Sequence, residues 1–258
     1  MITRKSAREI DRMRAAGRIV AEVLALVESE LKPGVTTGYL DSLAERHIRA
    51  AGAIPSFKGY LGGGRYGNGA KAFPASTCIS IDSEVVHGIP GDRQIKAGSL
   101  VSVDVGAILD GWHGDGARTF TVGDVTPKAK ALVDATRLAM MAGIAAARVG
   151  ARVGDISAAI EDVGLAGGYG IVRPFVGHGI GTDMHQEPQV PNYRTGSRGV
   201  ELQSGICLAI EPMFTLGDGE VYVEADNWTV ATQDDALAAH FEHTIAITES
   251  GPQILTTI

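Results

Sequence analysis

The chain has 258 residues, 45% of them hydrophobic and 21% charged, which is the balance of a soluble globular protein of one large domain or two small ones. A formal net charge of −7 excludes a global basic field for nucleic acid, and Cys78 and Cys207 are too few for a disulfide framework, so they read as reduced thiols of a cytosolic protein. No apolar run reaches the length of about 18 residues that a membrane span needs. The Arg-rich start, MITRKSAREIDRMRAAGR, carries Glu9 and Asp11 and no apolar core, so it reads as fold rather than targeting segment.

Ser6-Ala-Arg-Glu9 has capping-box spacing, and Ile10, Met13, Gly17, Val20, Leu24, Val27 and Leu31 then follow helical spacing up to Pro33-Gly34. A second helix is predicted from Thr37 to Ala51. A third starts at Thr126-Pro127, with Thr as cap and Pro at the first helical position, and runs to Gly150. A fourth covers about Gly154 to Leu165. KPGVTTGYL (Lys32 to Leu40) and RVGARVGDI (Arg148 to Ile156) align at an offset of 116 residues, Gly34 on Gly150, Gly38 on Gly154 and Leu40 on Ile156. Each helix pair precedes strand-rich sequence. The matched order of elements points to a duplicated α/β unit, although helix-ending glycines also match by chance.

In VSVDVGAILDGWHGDGARTF, Asp110-Gly111 between alternating apolar segments is a two-residue hairpin signal. With those two residues as the loop, Leu109 faces Trp112 and Asp104 faces Ala117. Asp115 then shares a sheet face with Asp104, one diagonal step away, their attachment carbons about 7–8 Å apart. Val101, Val103, Val105, Ala107, Leu109, Trp112 and Phe120 form the opposite, core face, to which Arg118 also points. Ser102, Gly106 and Ala117 leave room on the acidic face. Two carboxylates this close repel unless a positive charge lies between them. A bound cation satisfies that, and so does solvation on a wet sheet face.

Glu211 ends the apolar strand GICLAIEPM. Glu242 is read as mid-strand in AAHFEHTIAIT, sharing a face with His240, Thr244 and Ala246, against β propensity. His87 follows an apolar strand and precedes a Gly/Pro turn, a common place for a binding residue. GHGIGTDMHQEP holds His178 and His185 among glycines that permit φ > 0 and close backbone approach, as a loop around a site requires. His47 is expected to be solvated, and His113, His240 and His243 to be structural.

Taken in order, HGIPG at His87, DVGAILDGWHGD with Asp104 and Asp115, GHGIG at His178, HQEPQVPNY at His185, IEPMF at Glu211 and FEHTIAIT at Glu242 resemble the methionine aminopeptidases of the short bacterial type I form, over nearly the whole chain. The resemblance implies an α+β pita-bread fold. It would be a single catalytic domain, 1–258, with pseudo-symmetric halves of about 1–122 and 123–258 and a mainly antiparallel curved sheet covered by helices. It implies two divalent metal ions, with Asp104 on one, His178 and Glu211 on the other, and Asp115 and Glu242 bridging both. His185 would steady the scissile carbonyl oxygen, His87 would contact the substrate near the cleaved bond, and Glu211 would shuttle a proton. An oxygen-rich donor set with one imidazole suits Mn, Fe or Co, with Zn also accommodated.

The implied activity is removal of the N-terminal methionine from newly made proteins, with a small second residue, by a hydroxide bridging the two metals. Phe73, Cys78, Met184, Trp228 and Tyr60 would line the methionine pocket, beneath the glycine-rich stretch Gly59 to Gly69. The implied partners are N-terminal peptides of nascent proteins near the ribosome, with no nucleic acid or membrane bound directly, for a monomer in the cytoplasm. The rival readings are an Xaa-Pro aminopeptidase of the same fold, which usually has a further N-terminal domain, and a non-catalytic pita-bread binding protein, which would tend to have lost ligands.

Overall fold

The structure, a computed structural model, describes residues 2–61, 63–64, 67–68 and 71–258, and side chains outside 62–70. Helix α1 (Ala7–Glu30) opens on the expected capping box: Ser6 N–H donates to Glu9 Oε2 at 2.7 Å, and Glu9 N–H donates back to Ser6 Oγ. Its apolar stripe, Met13 to Val27, is buried with α2 (Thr37–Ala50) against an antiparallel sheet built on β1 (Thr77–Ile81), β2 (Leu100–Leu109) and β3 (Trp112–Thr121). The β2–β3 hairpin has the predicted register, with Leu109 opposite Trp112 and Asp104 opposite Ala117. Its turn works because Asp110 and Gly111 both take positive φ, 49° and 79°.

Helices α3 (Pro127–Ala146) and α4 (Val153–Gly167) cover a second apolar core on the other strands. There β4 (Gly177–Gly179), β5 (Gln186–Val190), β6 (Cys207–Ile210), β9 (His243–Thr248) and β10 (Gly251–Ile254) form a sheet in the order β5-β4-β6-β9-β10. A short sheet is built on β7 (Met213–Thr215) and β8 (Ala238–His240). Helix α3 ends four residues before the predicted Gly150. Ala147 N–H closes onto Ile144 O, and the chain then peels away so that Gly150 N–H can donate to Leu202 O at 2.9 Å.

The aligned segments hold matching backbone bonds. Gly34 N–H donates to Ile95 O, Thr37 N–H to Arg93 O and Gly38 N–H to Gly91 O. At the offset of the alignment, Gly150 donates to Leu202, Val153 to Val200 and Gly154 to Arg198. Gly34 and Gly150 both take positive φ, 91° and 85°. A Cβ on Gly38 or Gly154 would stand 3.0 Å from the backbone its own N–H meets.

Candidate metal centre

Asp104 on β2 and Asp115 on β3 lie diagonally across the hairpin, as Asp104 pairs with Ala117 and Gly106 with Asp115. The small residues around them leave less room than the sequence reading expects. A Cβ on Gly106 would meet Ser56 Cβ at 2.7 Å, and Ser102 Oγ is taken up by Thr119 Oγ1 at 2.8 Å. Above Ala117 lies the backbone of Glu242, bonded to it in both directions: Ala117 N–H to Glu242 O at 3.2 Å and Glu242 N–H to Ala117 O at 2.9 Å.

Glu242 is therefore not mid-strand. It occupies the break between β8 and β9, and Glu211 occupies the matching break between β6 and β7. Ile210 pairs with His243 on one side and Met213 with His240 on the other, in the same register. The two acids thus face one another where the ladder opens.

His178 lies in β4, a strand rather than the loop expected from its glycines. Neither Gly177 nor Gly179 takes positive φ; what they permit is close approach. A Cβ on Gly177 would come within 2.5 Å of Ala209 O, and one on Gly179 within 2.2 Å of Glu187 O, because β4 is squeezed between β6 and β5. The strand carries His178 Nε2 to 3.5 Å from Glu211 Oε1. Among the described residues, Asp115, His178 and Glu242 bring ligand atoms within 4.8 Å of one another.

Burial first, and Asp104 beside them, push Asp115 and Glu211 far above the usual carboxylate range; burial and then Asp115 do the same for Glu242, and burial raises Asp104 to about 7. Asp104 Oδ1, Asp115 Oδ1 and Glu242 Oε1 are buried without a hydrogen-bond partner among the described residues. Such a cluster is costly unless protonated or compensated by a cation. Burial also lowers His178 to about 3, so that its imidazole is neutral, as a ligand must be. Orphaned oxygens, acids in need of positive charge and one neutral imidazole fit divalent metal ions.

The cluster lines a cavity of about 1000 Å³, which also reaches all the remaining candidate residues. His87, at φ 61°, sets its ring edge-on to Trp228 and Phe175, with centroids 6.4 and 5.5 Å away. Burial, then neighbouring His185, lowers it to about 4. His185 precedes β5, its ring 4.3 Å from that of His178, and Tyr60 Oη meets its Nδ1 at 2.8 Å. Phe73, Cys78 and Met184 pack into one apolar cluster against Tyr60 and Trp228. Cys78 stands opposite Asp104, and burial followed by that charge keeps it a thiol. Of the segment Gly59 to Gly69, positions 62, 65, 66 and 69 lie outside the described residues, as do the side chains of 62–69.

Of the other histidines, His47 is not simply solvated but meets Glu22 at 3.0 Å. His113 Nδ1 meets Ser56 Oγ, and His243 Nδ1 meets Thr256 Oγ1. His240, expected to be structural, lies beside the cluster: it is 2% exposed, with Nε2 3.8 Å from Glu211 Oε2. Phe57, which joins the apolar cluster, and Asn192, which donates to Glu211 O at 3.1 Å, are given no role of their own in the sequence reading. Asn192 carries no local signal, since it acts on Glu211, 19 positions away in the chain.

Buried acids around a neutral imidazole, at the foot of an open cavity, place the molecule among metalloproteins with a binding cleft. The model of metallopeptidase family M24 matches residues 11–249, and the chain belongs to that family. It is 49% identical to the methionine aminopeptidase of Clostridium acetobutylicum, with 99% of each chain covered. It is 46% identical to methionine aminopeptidase 1 of Bacillus subtilis over the full length of both. The crystal structure of methionine aminopeptidase from Thermotoga maritima superposes with a TM-score of 0.94 at 41% identity, covering 100% of both chains. The fold is the α+β pita-bread fold.

Proposed function

We propose that this chain is a methionine aminopeptidase, a metal-dependent hydrolase that removes the first methionine from peptides with a small second residue. The observation that carries the reading is the junction of two environments in one cavity: the five-residue donor set lies against the apolar cluster of Phe73, Cys78 and Met184. A methionine side chain fits the apolar part while its peptide bond reaches the donors. Likeness to full-length relatives bearing that name supports it.

In this reading Asp104, Asp115, His178, Glu211 and Glu242 hold two divalent ions of the Mn, Fe, Co or Zn kind. When bound, these supply Lewis acidity that activates water and polarises a carbonyl. The chain's own residues do the rest. Glu211 takes a proton from the attacking water on its carboxylate and returns it to the leaving amine. Tyr60 O–H donates to His185 Nδ1, which fixes the proton on Nε2 for donation to the substrate carbonyl oxygen. His87, held among aromatic rings, contacts the substrate beside the cleaved bond. Phe73, Cys78, Met184, Trp228 and Tyr60 enclose the methionine side chain.

The chain is one catalytic domain of two halves, about 1–122 and 123–258, a reading supported by the matching backbone bonds at the two glycine pairs. It works as a monomer in the cytoplasm on the N-terminal peptides of nascent proteins, near the ribosome. No helix among the described residues is long and apolar enough to cross a membrane.

The test is hydrolysis of Met-Ala-x, Met-Ser-x, Met-Lys-x, N-acetyl-Met and Ala-Pro-x peptides with Mn, Fe, Co or Zn added. The first two are cleaved and the others are not. Cleavage of Ala-Pro-x without Met-Ala-x would make the chain an Xaa-Pro aminopeptidase instead.

A further inference from the structure

His240 and Glu211 lie 29 positions apart in the sequence, yet the two sides of the opened ladder bring them together. Met213, two residues beyond Glu211, pairs with His240. The backbone of His240 is pinned by one side chain from the other half of the molecule. Its N–H donates to Thr119 Oγ1 at 2.8 Å, and the same hydroxyl donates to His240 O at 2.8 Å. Ser102 Oγ, 2.8 Å from Thr119 Oγ1, donates to it in turn, since the threonine proton is already committed. This imidazole therefore stands on a fixed base. It is 2% exposed, and its Nε2 is buried with no hydrogen-bond partner among the described residues. A buried ring nitrogen left unpaired is costly, so its surroundings should supply a partner. The polar atom it faces is Glu211 Oε2, at 3.8 Å.

Glu211 is shared between two imidazoles. Oε1 faces His178 Nε2 at 3.5 Å, on the side of the donor cluster, and Oε2 faces His240. Its main chain is held separately, by Asn192 Nδ2 at 3.1 Å from Glu211 O. A carboxylate that turns one oxygen toward cations needs a donor on the other to keep its plane from rotating.

We infer that His240 is a positioning residue for the metal centre, its Nε2–H donating to Glu211 Oε2 and holding Oε1 toward the ligand cluster. This rests on the metal-centre reading above. His240 touches neither substrate nor metal in this role.

The experiment compares wild type, His240→Leu and His240→Gln by calorimetric titration of the apoprotein with Mn²⁺ or Co²⁺, alongside kcat and KM on Met-Ala-x and a thermal melt without metal. Leucine fills space without donating; glutamine restores a donor. Metal affinity in His240→Leu is expected to fall by about 10- to 100-fold. His240→Gln recovers most of it, and KM changes less than kcat. In a Glu211→Gln background, His240→Leu should cost little further affinity, because the carboxylate it serves is gone.

Unchanged affinity in His240→Leu overturns the inference, as does equal impairment in both His240 variants, which would make the ring a ligand or a packing element. Additive losses in the Glu211→Gln background overturn it too, because His240 would then act elsewhere. If the wild-type apoprotein takes up no metal at all, it is the metal-centre reading that fails. Should His240→Leu melt far below wild type, the glutamine variant and the double-mutant comparison still decide the matter.

Discussion

Glu211 and Glu242 face each other across a gap in a ladder whose register is the same on both sides, Ile210 with His243 and Met213 with His240. Two acids brought together in a buried gap cannot both ionise cheaply. The fold accepts that cost where a cation would remove it. Divalent metal should therefore stabilise the protein. At a free concentration about 100 times the dissociation constant, binding contributes about 2.7 kcal/mol, or roughly 5–10 °C in melting temperature for a chain of this size. Differential scanning fluorimetry with EDTA and then with Mn²⁺ or Co²⁺ should show that rise. Glu242→Gln should lose most of it. A flat response in the wild type would remove the metal centre from the account.

The halves of the molecule are sewn together by a second register, which sets Asp115 beside Thr244, Ala117 beside Glu242 and Thr119 beside His240. The middle pair uses backbone bonds. The outer pairs use threonine hydroxyls: Asp115 N–H donates to Thr244 Oγ1 at 3.0 Å, and that hydroxyl donates to Asp115 O at 2.7 Å. Thr244 is fully buried. Thr244→Val keeps the shape and orphans both backbone groups of Asp115, each at a cost of about 1–3 kcal/mol. Urea denaturation should show a loss in that range or above, together with weaker metal binding. A variant as stable as wild type would mean that water or backbone adjustment replaces the hydroxyl.

These registers explain what the sequence could and could not disclose. The Asp104–Asp115 pairing was legible because a two-residue Asp-Gly turn and strict alternation are local signals. The break at Glu242 was not, since its alternation reads as one unbroken strand, and what opens the ladder is Ala117 of the other half, far away in sequence. The same holds for His240: a single histidine on a strand looks structural until a long-range pairing brings it to Glu211. The glycines around His178 signalled a constraint but not its kind, because the crowding at Gly177 and Gly179 comes from Ala209 and Glu187 on neighbouring strands. The methionine-pocket residues carried no periodic signal, and only the resemblance assembled them.

Gly179 offers a direct test of that crowding. An added Cβ would lie 2.2 Å from Glu187 O and 2.7 Å from Glu187 C, both backbone atoms that cannot rotate away. Gly179→Ala must push β5 outward, and His185 immediately precedes that strand. Overpacking of this kind costs about 1–3 kcal/mol or more. Turnover should fall further than metal affinity, because His178 stays on β4 while His185 moves with β5. Gly91→Ala is the control: its Cβ would meet nothing within 4 Å, so stability should stay within about 0.5 kcal/mol. Equal stability of the two variants, by chemical denaturation, would mean that β5 yields without cost.

His178 and His185 have rings 4.3 Å apart but opposite neighbours. His178 is buried beside Glu211, whereas His185 is braced by Tyr60 at the open side of the cavity. The environments predict different losses. In the proposed metal centre, His178→Ala removes the single nitrogen from the five-residue donor set, so metal affinity and activity should fall together. His185→Ala leaves that set intact, so metal uptake should persist while kcat falls by about 10²–10³, or roughly 2.7–4 kcal/mol, the usual cost of losing one donor to a developing oxyanion. Tyr60→Phe should reproduce part of the His185 loss, because the ring then loses the hydroxyl that fixes its tautomer. Calorimetric titration with Mn²⁺ beside steady-state kinetics on Met-Ala-x separates the two roles. If His185→Ala loses metal and His178→Ala binds it normally, the roles are exchanged. If both keep full turnover, neither imidazole serves the reaction.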